Sequence, residues 1–172
     1  MRKFNYMLVG LVTAGMLTLG NLTSIAQDQN RGEAKAKIGN ANVSIEYGRP
    51  SLEGRDPLKL IRPGEPWRLG KNEPTTIESD RDLSFAGTKV SKGKHILLAM
   101  LDAAGKWWLV VSSKGNFEYE PTAKIAQAPM DLSKAQGAVG QLEIKLSGKD
   151  DRGTIEVAWG TLRLTAQFEL AK

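Results

Sequence analysis

The chain has 172 residues, a formal net charge of +5, no cysteine and a single histidine. A disulfide framework, a thiolate metal site and a cysteine nucleophile are thereby excluded, and a zinc site would have to rely on carboxylates around His95. The length suits one domain with a sizeable core.

Residues 1–26 carry Arg2 and Lys3, then an apolar run over 7–19 broken only by small residues and threonine, then the small residues Ser24 and Ala26. That order reads as a secretory signal peptide cut after Ala26, which implies export to the periplasm or beyond the cell. The apolar run is short for a membrane span, so no stable membrane insertion is expected after cleavage. No cysteine follows it, which removes a lipid-anchored lipoprotein. Loss of the leader takes the net charge from +5 to +3, so the basic balance is partly an export signal. Nucleic-acid binding is not expected at that charge.

Residues 27–33 are polar and aperiodic and read as a flexible tail, with the folded domain expected over 34–172. From there period two dominates, which places alternate side chains on opposite faces of a strand. Residues 34–38 and the alternation Val43, Ile45, Tyr47 form a hairpin through Gly39-Asn40. Residues 48–74 form one long irregular stretch holding five of the seven prolines, and a loop of that length is usually functional or wrapped over the core. Shorter strands are expected at 75–79, 83–85, 89–90 and 122–127, between Gly, Asp and Pro turn residues. Residues 96–101 and 107–111 are apolar on both faces and should be covered on both sides. At the C-terminus Leu142, Ile144, Leu146, then Ile155, Val157, Trp159, then Leu162, Leu164, Ala166, Phe168 and Leu170 face one way, giving a meander with one wet face. The sum is an all-β single domain, an antiparallel β-sandwich or barrel-like fold of roughly ten strands.

The long stretch concentrates the chemistry. Arg49, Arg55, Arg62 and Arg68 could grip a carboxylate or phosphate in bidentate fashion, or could pair with Glu53, Asp56, Glu65 and Glu73 across the surface. Trp67 beside Arg68, followed by Gly70, Asn72 and Glu73, combines an apolar wall with convergent polar groups, as small-ligand pockets do. His95 shares a strand face with Leu97 and Ala99, so it points to the core or to a pocket lined by it. Trp107 and Trp108 point to opposite faces, and either could pack or stack on a sugar. Glu46, Glu73 and Glu78 are the acids from which a carboxylate pair could be assembled. Lys149-Asp150-Asp151-Arg152 reads as a solvated hairpin tip, and no Gly-x-Ser-x-Gly elbow is present.

Val43-Ser44-Ile45-Glu46-Tyr47-Gly48-Arg49-Pro50-Ser51, Gly54-Arg55, Trp67-Arg68-Leu69-Gly70-Lys71-Asn72-Glu73-Pro74-Thr75-Thr76, Lys92-Gly93-Lys94-His95 and Ala158-Trp159-Gly160 together resemble the secreted bacterial family called domain of unknown function 2911. The resemblance spans the chain from about Ala34 to its end. It implies an exported all-β domain, with the Arg-Pro and Asn-Glu segments as hallmarks and no function attached. The family pattern carries tyrosine at the position of His95, which weighs against a catalytic histidine.

Three functional expectations follow. The first is a binding module holding a small anionic or polyol ligand among Tyr47, Arg49, Arg55, Trp67, Arg68, Asn72, Glu73 and His95. The second is a hydrolase using Glu73 with His95 or another carboxylate as acid and base. The third is a structural one, in which the same residues lock the long loop over the sheet. No cofactor is implied, and protein partners stay open.

Overall fold

The computed structural model describes residues 30–115 and 119–172, with the backbone alone at Ala135 and Gln136. The proposed signal peptide and its cleavage site lie outside the described residues. Among the described residues ten strands form a single antiparallel sheet: β1 (Arg31–Ile38), β2 (Ala41–Gly48), β3 (Pro66–Trp67), β4 (Thr76–Ser79), β5 (Leu83–Phe85), β6 (Thr88–Val90), β7 (Gly93–Leu101), β8 (Trp107–Ser112), β9 (Lys124–Lys149) and β10 (Arg152–Leu170). One short helix, α1 (Pro57–Leu60), and a single 3-10 turn (Pro121–Ala123) are the described exceptions.

The order across the sheet is β1-β2-β4-β7-β8-β9-β10-β5-β6, with β3 added alongside β7. The fold is all-β as expected, and the choice between sandwich and barrel resolves into one sheet that rolls up and stays open. The length of β9 makes this possible. Its first part pairs with β8, from Trp107 against Met130 to Ser112 against Lys124, while its second part pairs with the start of β10. That second part also meets the other end of the sheet. Leu142 N donates to Pro50 O (3.0 Å), Leu52 N to Gly140 O (2.7 Å), and Gly39 N to Asp150 O at the hairpin tip (2.7 Å).

The inward faces then share one core. Val43, Ile45, Ile77, Leu97, Leu109, Val111, Leu142, Ile144, Ile155, Val157, Leu162 and Leu164 are all buried in it. Period two is obeyed along each of these strands, with one change of phase in β10 between Trp159 and Leu162, because a one-residue slip would turn these side chains outward. Leu98 and Val110, on the opposite face of β7 and β8, are buried as well, at 4% and 1% exposure, between half-buried Ile96, Met100 and Trp108. The apolar outer surface of these central strands is thus covered in part.

Residues 48–74, expected to be irregular, hold α1 and β3, and the structure departs from the expected elements in three further places. β1 begins at Arg31, three residues before Ala34, because the hairpin register continues outward to pair Arg31 with Gly48. Residues 122–127 and 142–146 belong to one strand, β9, as do the two C-terminal apolar runs, in β10. Gly160 is the reason for the second merger. With φ at 57° it lets β10 pass through a bulge, where register shifts against β9, instead of turning back.

Candidate functional site

The segment between β2 and β4 is held by backbone packing. A Cβ on Gly48 would stand 2.0 Å from Lys71 O and 2.7 Å from Lys71 N, so the Gly48-Arg49 and Gly70-Lys71 peptides lie directly against each other. Leu69 and Asn72 carry positive φ values of 53° and 59° on either side of that crossing, and Leu69 is nonetheless fully buried. Thr75 Oγ1 donates to Leu69 O at 2.9 Å and closes the turn from within the core. Farther out, Asp56 caps α1 through the Leu58 N–H (3.0 Å), and Pro57 and Leu52 sit over Gly160.

The residues singled out in the sequence are distributed by this packing. Tyr47 is in the core, its hydroxyl donating to Ile144 O at 3.3 Å. Arg49 N donates to Asn30 O (2.6 Å), and its Nε is buried without a hydrogen-bond partner. Arg55 is spent on its own loop, with Nε on Leu52 O (3.2 Å), Nη2 on Ser51 O (3.0 Å) and Glu53 at 3.6 Å. Arg68 Nη1 reaches Asn72 O at 3.4 Å. Trp67 stacks on Trp159 (6.1 Å between centroids, 17° between planes) and meets the edge of Trp107 (6.5 Å, 72°). Trp108 faces outward, with its Nε1 donating to Asp102 at 2.9 Å and Lys106 lying 4.2 Å over its ring. That indole hydrogen bond, joined by the Lys106 and Ala104 N–H groups, holds the Asp102 carboxyl below its ordinary range.

Arg68 and Asn72 meet within the loop, and of the remaining expected residues Glu73 and His95 come to one cleft, His95 from the face of β7 opposite to that of Lys94 and Ile96. They line a cleft of about 460 Å³ with Arg31, Glu46, Pro74, Thr76, Lys94, Ile96 and Ser113. His95 Nε2 lies 2.7 Å from Ser91 O. Lys94 Nζ stands 3.3 Å from Glu46 and 3.7 Å from Glu78, so its charge is offset within the sheet face. Arg31 is different: it is half-buried, its Nη1 is buried, and no acceptor among the described residues meets that nitrogen. A guanidinium donor out of contact with water and unpaired is costly, so a shift of the Arg31 side chain toward an acceptor in the cleft would be favourable.

Sequence reading placed Arg31 in a tail and did not join Lys94 or Ser113 to it. Counting the hairpin register outward from Gly39-Asn40 would have found Arg31, since it falls opposite Gly48 and next along the face to the Glu33–Glu46 pair. Ser113 lies just beyond β8, and no local pattern marks it.

A groove of about 490 Å³ on the outer side of β1, β2 and β4 is larger but already satisfied. Asn42 donates both its backbone N–H (2.9 Å) and its side-chain amide (2.7 Å) to Asp80, bonds that hold this carboxyl below its usual range. Lys35, on the same rim, pairs with Glu33 at 2.8 Å. Among the described residues no group of three or more His, Asp or Glu side chains is placed to hold a metal ion.

No curated protein and no solved structure matches the chain. A family model described as Protein of unknown function (DUF2911) matches residues 29–168, nearly all of the described fold. On that match the chain belongs to the DUF2911 family.

Proposed function

We propose that the chain is an exported small-ligand-binding module whose ligand presents an anionic group to Arg31 in the cleft lined by β1, β2, β4 and β7. The supporting observation is that Arg31 lines a cleft whose volume suits a small molecule while its buried Nη1 has no acceptor among the described residues, so that a small shift of the side chain toward a ligand would satisfy it. A carboxylate or phosphate is the natural complement, because a guanidinium bonds such groups in a planar, charge-assisted fork. Arg49 Nε and Trp159 Nε1 are also buried without partners, but neither residue lines this cleft. In this reading Tyr47, Arg49, Arg55, Trp67, Arg68 and Asn72 hold the loop that carries Glu73, rather than touching ligand.

A thermal-shift comparison of residues 27–172 with succinate, phosphate, sugars and sugar alcohols tests the proposal. A ligand at a hundredfold excess over its Kd stabilises by about 2.7 kcal/mol, which for a domain of this size raises Tm by about 5–10 °C. The shift is expected from anions and is expected to vanish in Arg31→Gln. Stabilisation that survives Arg31→Gln, or arises only from neutral sugars, would place the ligand elsewhere.

Export belongs to the same proposal and is supported by the charged, apolar and small-residue order of residues 1–26. Expression of the full chain in a Gram-negative host should yield a periplasmic or medium-borne protein whose first residue is Gln27. A cytoplasmic product beginning at Met1 rejects it.

One observation favours the hydrolase as a second reading, namely that Glu73 and His95 line the same cleft. As acid and base they would need a water between them and a scissile group beside it.

A further inference from the structure

The charges around the cleft do not balance evenly. Lys94 is offset by Glu46 and Glu78, and the His95 ring nitrogen lies at hydrogen-bond distance from Ser91 O. Two ionic groups of the cleft wall, one of each sign, stand outside that cluster. Neither Arg31 nor Glu73 has an ion pair among the described residues, and they stand more than 4.0 Å from one another although both line the cleft.

We infer that the ligand is a small zwitterion of the free α-amino acid class, its carboxylate on Arg31 and its ammonium on Glu73. This deepens the anion-binding reading and rests on it. A simple anion answers Arg31 but brings a second negative charge beside Glu73, where like charges repel. A neutral ligand strips water from both groups and satisfies neither. Only a molecule carrying both signs close together matches what the cleft leaves unpaired. Ile96 and Pro74 offer apolar surface to its side chain, and Thr76 offers a further polar contact, while the Ser113 hydroxyl already donates to Ala123 O (3.2 Å).

The test is a calorimetric titration of residues 27–172 with matched pairs that differ only by ammonium against hydroxyl: alanine with lactate, and phenylalanine with phenyllactate. Each amino acid is expected to bind about tenfold more tightly than its hydroxy acid, the worth of one charge-assisted contact. Glu73 is exposed, so Glu73→Gln leaves the fold intact, which an unchanged Tm verifies. In that variant the preference disappears because the amino acids weaken while the hydroxy acids hold or tighten. Arg31→Gln weakens both members of each pair.

Equal affinity within the pairs, or an amino-acid advantage that survives Glu73→Gln, overturns the zwitterion while leaving the anion site standing. If neither member of any pair binds the unaltered protein and no other anion does, both readings fall together.

Discussion

Gly48→Ala should cost the folded protein about 3 kcal/mol, at the upper end of what overpacking usually does, and lower Tm by roughly 6–12 °C. The added methyl would sit 2.0, 2.7 and 2.9 Å from the Lys71 O, N and C atoms, all of them backbone. No rotamer change can relieve such a contact, so either β2 or the loop must move. Gly48 is needed here for closeness of approach, since its φ is not among the left-handed ones. Gly70 makes the reciprocal contact, its own missing Cβ facing Gly48 N and O at 3.0 Å. Gly140 is the control, with no atom within 4 Å of where a methyl would sit and no positive φ, so Gly140→Ala should stay within about 0.5 kcal/mol of the parent. A Gly48→Ala protein that melts with the parent would mean the two loops are not in contact in solution. Because the displaced loop carries Glu73, the same variant is expected to lose the amino-acid preference along with its stability.

Trp159→Ala should remove about 3–5 kcal/mol, the usual cost of deleting a large buried aromatic. Trp159 is 5% exposed and stacks on Trp67, which in turn meets Trp107, so its ring joins β10, β3 and β8 across the core. Its Nε1 is buried and bonded to nothing, so the indole nitrogen contributes a penalty where the ring contributes packing. Trp159→Phe keeps much of the ring and discards that donor, and it should cost about 1 kcal/mol or less. Urea unfolding of the two variants, with near-ultraviolet circular dichroism to follow the tryptophan stack, separates these effects. Equal damage from Phe and Ala would show that the nitrogen matters and that a partner for it has been overlooked; little damage from either would remove the stack as a structural support.

Both predictions concern the loop between β2 and β4, where the sequence was most suggestive and most ambiguous. Arg55 illustrates the difficulty. Its position in an arginine-rich loop reads equally as a ligand clamp or as a turn support, and the structure shows it on the Ser51 and Leu52 carbonyls. Tyr47 shows the reverse: strict alternation with Ile45 and Val43 already put its ring on the inward face, where it is found. Trp107 and Trp108 were likewise correctly divided between the two faces by period two.

Local physics therefore carried far in this chain. Alternating apolar residues dictate strands, Gly39-Asn40 dictates a tight turn, and together they determine an antiparallel all-β domain and which side chains face its core. Tertiary structure alone decided that the sheet stays open, that Gly160 bends β10 without ending it, and that Arg31 leaves the expected tail to join a cleft with Glu73 and His95. The physical reason is that period two specifies a face but carries no information about which strand lies alongside. The cleft draws on β1, β2, β4 and β7 and on Glu73 and Ser113 outside them, groups brought together only by pairing distant in sequence.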